Sequence, residues 1–294
     1  MVQDLARSTA TDLIPQAVLC HVPGYTADGP SVRVARLYGG NVNASFRVDT
    51  GAGSFVVRLH RELGQELGAD HVREAQLHAA AATAGLAPAL VYVDADHRFL
   101  VMEYVSGALW IPDHFAQPER LAHLGTTLRA LHAVKSPQVA PYDLWLKLRH
   151  LYHRLSEGIP AERGWFEQLM DRAMLALETS GTRQRPAVLI HNDLFHANII
   201  GEERIYLLDW EYAAVADPLF DLACLFAHYP QATPYVDTLL DSSGLARIAT
   251  PSMVRDTTWL YVLLSYFWYR SLHFSVPATP ANQAAEQALL KRLG

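Results

Sequence analysis

Residues 188–209 form a β-rich island among segments patterned as helix, and they limit the fold more than any other stretch. The run reads His191-Asn-Asp-Leu-Phe-His-Ala-Asn-Ile-Ile-Gly-Glu-Glu-Arg-Ile-Tyr-Leu-Leu-Asp209-Trp-Glu211. Gly201 to Arg204 make a turn, flanked by Asn198-Ile-Ile and Ile205-Tyr-Leu-Leu. With Ile200 opposite Ile205, Asn198 faces Leu207 and Asp209 faces His196. The hairpin thereby brings Asn198 and Asp209 to one end, with Asp193 in the loop just before. Glu211 lies two residues after Asp209 and shares its face if the chain stays extended.

The flanks frame this island. Residues 31–37 and 44–48 alternate as strands around Tyr38-Gly39-Gly40-Asn41. A turn at Asp49-Thr-Gly-Ala-Gly53 leads into a third strand, Ser54 to His60. Helical spacing runs from Asp70 to Ala84, stopped by Gly85 and Pro88. Two more strands follow, Leu90 to Val93 and Phe99 to Tyr104. Beyond Gly107, apolar residues recur at helical spacing over 119–134, 144–155, 164–177 and 255–273. Two lobes are therefore expected, 1–105 with a small antiparallel sheet and 106–294 mainly helical, an α+β chain.

Composition removes several function classes. The chain has 294 residues, half of them hydrophobic, and a net charge of −6, which argues against a nucleic-acid partner. Cys20 and Cys224 are the only cysteines and fit neither a metal motif nor a disulfide framework. The opening residues carry no apolar h-region, and the run Trp259 to Trp268 is too short to span a bilayer. A cytoplasmic protein without a membrane partner is expected, as a monomer or homodimer.

Asp209, Glu211 and Asn198 are hard oxygen donors of the kind Mg²⁺ prefers alongside phosphate and water. Asp193, one loop away, can orient or deprotonate a hydroxyl. A zinc hydrolase built on His191, Asp193 and His196 is an alternative reading, but no further His motif follows. Asp217-Pro218 reads as the start of a helix.

His191-x-Asp193-x4-Asn198, followed by Leu208-Asp209-Trp210-Glu211, resembles the catalytic signature of the choline/aminoglycoside phosphotransferase superfamily, small-molecule relatives of protein kinases. The resemblance covers about residues 33–273 and implies a bilobal kinase-like fold using ATP and Mg²⁺. It makes Asp193 the catalytic base, Asn198 and Asp209 magnesium ligands, and Glu211 an assistant to metal or substrate. Asp221 matches an aspartate that braces the catalytic loop. Gly39, Gly40, Asn41 and Asn43 take the place of a glycine-rich phosphate loop. Arg58 stands where the kinase fold carries lysine, with Glu74 as its natural partner. Glu103, Tyr104 and Val105 fall in the lobe linker, whose backbone would bind adenine.

The acceptor is expected to be a small-molecule alcohol. Trp210 and Tyr212 flank Glu211, and the late helix adds Trp259, Tyr261, Tyr266, Trp268 and Tyr269. Aromatic faces beside carboxylates suit an organic cation, and Leu208 to Ala213 is similar to both choline and thiamine kinases. The substrate set is thus Asp193, Glu211, Trp210, Tyr212 and Trp268. Such a helix can equally be buried core. An aminoglycoside or amino-sugar kinase, or a non-catalytic ATP-binding module, are the rival readings.

Overall fold

The computed structural model describes residues 13–29, 32–37, 43–61, 63–64 and 69–294. They divide into two compact units, Met1–Leu109 with Ile199–Tyr212, and Trp110–Asn198 with Ala213–Gly294. The architecture is α+β.

The first unit is built on a five-stranded antiparallel sheet: β1 (Arg33–Leu37), β2 (Ala44–Thr50), β3 (Gly53–Leu59), β4 (Leu90–Val93) and β5 (Phe99–Glu103), in spatial order β1-β2-β3-β5-β4. Strand alternation decides the faces. Phe46 pairs with Val57 and Val48 with Phe55, and all four are buried on one face. A short helix α1 (Gln16–Leu19) and its flanks close this face, with Ile14, Leu19 and Val22 fully or almost fully buried. Residues near the N-terminus, which the sequence left without a role, thus complete the core. Arg58 follows Val57 and so turns to the other face.

Helix α2 (His71–Thr83) supplies Glu74 to that second face. Its start is capped by Asp70, whose carboxylate accepts from the Arg73 amide at 3.0 Å. Gly85 ends it at φ +74°, as the amides of Gly85 and Leu86 fold back onto the Ala82 and Ala81 carbonyls.

The hairpin β7 (Ile199–Ile200) and β8 (Tyr206–Leu207) belongs to this first unit, although it follows the second unit's strand β6 (Val188–Ile190) in sequence. The Gly201 amide donates to Ala108 O and the Leu207 amide to Leu86 O. The pairing is Ile199 with Leu207 and Ile200 with Tyr206, one residue away from the expected register. The reason is Gly201. Its φ is +100°, and a Cβ there would run into the Arg204 carbonyl oxygen, so the turn curls tightly and takes in Ile205.

The second unit is organised around α8 (Pro251–Leu272), which packs against α4 (Leu144–Gly158), α5 (Arg163–Thr179), α6 (Leu219–His228) and α9 (Pro280–Leu293). Thr250 caps α8, its hydroxyl accepting from the Met253 amide, and Pro251 fits the first helical position. Helices α3 (Pro118–His132) and α7 (Val236–Ser243) pair beside it. Strand β6 runs antiparallel to β9 (Ala214–Ala216). The helix after Asp217-Pro218 begins at Leu219, whose amide donates to Asp217 Oδ1 at 2.9 Å. The same buried carboxylate receives Arg185 at 2.6 Å. Helices α7 and α9 went unread in the sequence. Among the described residues no helix is long and apolar enough to cross a membrane.

Candidate active site

In the first unit, one guanidinium gathers three carboxylates. Arg58 Nη2 donates to Asp209 Oδ1 at 2.6 Å and to Glu211 Oε2 at 2.9 Å, and its Nε faces Glu74 Oε1 at 3.5 Å. The Arg58 and Glu74 side chains are 7% and 1% exposed, whereas Asp209 keeps 24%. Burial opposes the charge on Arg58, but Asp209, Glu74 and Glu211 more than offset it and hold the group charged. Burial likewise pushes Glu74 upward and is outweighed by Arg58, His60 and His71, which leave it well below the usual carboxylate range. A lysine ammonium could not reach three acceptors with the same planar fork.

Asp209 reaches this cluster through a left-handed backbone, φ 64°. Asp and Asn tolerate that region better than most residues, but it still stores strain of about 1–3 kcal/mol. The extended run expected from Asp209 to Glu211 is therefore broken. Both carboxylates meet on Arg58 because the chain turns.

Several expectations change here. Asn43 is buried, donates to Glu211 Oε2 at 2.6 Å and accepts from the Arg61 amide at 3.1 Å. Its nitrogen is thus committed to the Glu211 carboxylate and its oxygen to the Arg61 amide. Gly39, Gly40 and Asn41 lie outside the described residues. Trp210 is 1% exposed and donates its indole N–H to Leu207 O, so it is core and presents no wall to a substrate. Tyr212, beside Glu211, is half-buried. Glu103 ends β5 and Tyr104 follows it, and their amides donate to Ala89 O and Ser54 O. Arg47 lies 4.2 Å over the Tyr104 ring.

In the second unit, the loop after β6 is held from three sides. Asp221, fully buried in α6, accepts from the amides of Asn192 (2.8 Å) and His191 (3.3 Å) and from His132 Nε2 (2.9 Å). The Tyr261 hydroxyl donates to Asn192 O at 2.6 Å. These contacts fix Asn192 at φ 62° and set the direction of the next residue, Asp193. Asn198 then donates its Nδ2 to both the Asp193 carbonyl (3.0 Å) and Oδ2 (2.9 Å). That assigns the amide nitrogen and leaves Oδ1 as the atom offered to a cation.

The zinc alternative gains no support from this loop: among the described residues, His191, Asp193 and His196 do not bring their ligand atoms together as a metal-holding group. His191 Nδ1 accepts from the Asp193 amide, and His196 Nδ1 lies 2.7 Å from the Tyr229 hydroxyl. Around Asp193 the walls are aromatic. Burial pushes the Tyr269 hydroxyl up to about 12, with the Asp193 charge adding to it. Trp268 packs edge-on against Tyr269 at 5.0 Å. The sequence reading missed Tyr261 and His132 as supports, because neither shares a motif with the loop it holds. It also missed His60 and His71, which flank Glu74.

Three comparisons bear on this arrangement. A choline/ethanolamine kinase family protein from Mesorhizobium loti superposes with a TM-score of 0.75 at 23% identity, over 95% of this chain and 92% of that one. LicA in complex with AMP gives 0.72 at 17%, over 95% and 97%. At such identities the likeness is one of fold. A probable ethanolamine kinase of Arabidopsis thaliana is 26% identical over 141 residues, which are 44% of this chain and only 38% of that protein. The pattern of the APH phosphotransferase enzyme family matches residues 33–253, and the chain belongs to that family.

Proposed function

We propose that the protein is an ATP-dependent kinase that phosphorylates the hydroxyl of a small cationic alcohol, of the ethanolamine and choline kind. The observation that carries this reading is the Asp193–Asn198 bond of 2.9 Å, in a loop braced by Asp221. Asp193 accepts hydrogen bonds only, and Asn198 fixes one of its oxygens. It is suited to receive the hydrogen of an alcohol and hold the oxygen for in-line attack. An ethanolamine kinase among the relatives, and a fold neighbour that holds AMP, support the acceptor class and the nucleotide.

Asp209 and Glu211 are carboxylates of the kind that would hold Mg²⁺, which would neutralise phosphate charge when bound, and Asn198 Oδ1 is a further oxygen donor of that kind. Arg58 keeps a fixed positive charge on Asp209 and Glu211 and holds their carboxylates in place. On the acceptor side, Asp193 supplies negative charge, and Tyr269 and Trp268 supply faces to an organic cation. Tyr269 stays neutral at physiological pH.

The test is an assay for ADP and phosphorylated product with ATP, Mg²⁺ and, in turn, ethanolamine, choline, thiamine and kanamycin. A phosphorylated alkanolamine or thiamine is expected. Product from kanamycin alone would make the acceptor an aminoglycoside.

A further inference from the structure

Residues 191–195 have no regular secondary structure, so each of their amides must find an acceptor outside a ladder or a helix. Most of the acceptors come from one helix and its end. His191 and Asn192 donate to Asp221 at 3.3 and 2.8 Å. Leu194 donates to Cys224 Sγ at 3.1 Å. His196 donates to the Tyr229 hydroxyl at 2.8 Å. Between them, the Asp193 amide turns back to His191 Nδ1 and the Phe195 amide to the Asp193 carbonyl. Asp221 and Cys224 stand one turn apart on α6, hence on one face, and Tyr229 caps the helix end.

Cys224 is the unexpected member of this row. A thiol accepts only weakly. Leu194 and Cys224 are both completely buried, however, so water cannot take the place of the sulfur. Burial pushes the thiol well above its ordinary range, and the charges of Asp193 and Asp221 push the same way, so it stays neutral. A neutral sulfur takes the amide hydrogen without setting a further negative charge beside Asp193. The thiol also adjoins the Tyr261 hydroxyl, whose hydrogen goes to Asn192 O at 2.6 Å.

Asn192 O belongs to the peptide group before Asp193, and the Leu194 amide to the one after it. Fixing both planes fixes the backbone angles of Asp193 and with them the direction of its carboxylate.

We propose that Cys224 is a positioning residue for Asp193: by receiving the Leu194 amide it holds the peptide after Asp193, as Tyr261 holds the one before. The catalytic part rests on the kinase reading; the backbone part does not. A cysteine that served packing alone would be needed only for its volume.

Serine and alanine separate these uses, because they are close in size and only serine accepts. Exchange of the Leu194 amide is read by NMR in the ¹⁵N-labelled protein without nucleotide. It should be slow in the wild type and in Cys224→Ser, and at least about tenfold faster in Cys224→Ala. Under saturating Mg·ATP, with the alcohol that the wild type phosphorylates, Cys224→Ala should lower kcat about tenfold with the KM for ATP nearly unchanged, the order expected when a buried donor loses its partner. Cys224→Ser should regain most of that loss. If Cys224→Ala does not fold, Cys224→Val, which fills the space without accepting, should show the same loss of kcat. A wild-type Leu194 amide that exchanges as freely as an exposed loop amide would overturn the proposal without any variant. Equal impairment of the Ser and Ala variants would reduce Cys224 to packing, and full activity in Cys224→Ala would remove its role altogether. A wild type that phosphorylates no alcohol would sink the kinase reading, and the exchange contrast between Ser and Ala would then decide the backbone role by itself.

Discussion

Asp209 accepts from Arg58 at 2.6 Å while its own backbone sits at φ 64°, so one residue carries both a buried charge contact and a strained conformation. The two properties can be separated by substitution. Asp209→Asn keeps a side chain that tolerates the left-handed region but loses the carboxylate. Its melting temperature should fall through the weakened Arg58 contact, and use of Mg·ATP should fall by at least about a hundredfold. Asp209→Ala should lose the activity and also show the cost of the backbone, about 1 kcal/mol more than Asn. Thermal melts beside kinetic assays check this. Equal stability of the two variants would mean that the backbone holds no strain here.

Asp221 accepts from three donors and is completely buried, so its second oxygen cannot be exchanged for an amide group without loss. Asp221→Asn should place an N–H₂ against N–H donors and cost about 1–3 kcal/mol in denaturant unfolding. Turnover should fall with it, because Asp193 takes its direction from Asn192. If the midpoint shifts but turnover of the folded fraction does not, the loop is held by other contacts.

Much of this was legible beforehand, and the boundary is informative. Strands β2 and β3 and helix α2 follow from local rules, namely alternation, helical spacing and a Gly stop, while the pairing of Arg58 with Glu74 follows from the family resemblance. The register of the hairpin did not, because the glycine turn absorbs one residue more than the hydrophobic pattern shows. Trp210 looked like a substrate wall, since a sequence does not say which aromatic finds an acceptor for its N–H in the core. The bond from Asn43 to Glu211 had no local signal either, since the two lie 168 residues apart. The His60–His71 stack had no motif at all. Its members meet only because strand β3 and helix α2 run past each other.

His228 gives the second unit an acid-sensitive point. Burial, with the Arg292 charge second, holds its imidazole down at about 3, and its ring lies 4.2 Å from Phe195. The folded-state value is depressed below the unfolded value of about 6.5. Between the two, the unfolded chain binds a proton that the folded chain does not. The contribution to stability is therefore complete above about pH 6.5 and declines as pH falls toward 3. The melting temperature should drop between pH 7 and 5.5, and His228→Gln should flatten that part of the curve. An identical slope in the variant would assign the acid sensitivity to other groups.

The central claim is that Asp193 positions an alcohol for phosphorylation by ATP. It is tested most directly by measuring phosphorylated ethanolamine or choline formed by the wild type and by Asp193→Ala under saturating Mg·ATP. The account predicts product from the wild type, and a kcat lowered by about 10²–10⁴-fold in the variant with the KM for ATP nearly unchanged. Normal turnover by Asp193→Ala, or a wild type that phosphorylates no small cationic alcohol, would contradict it.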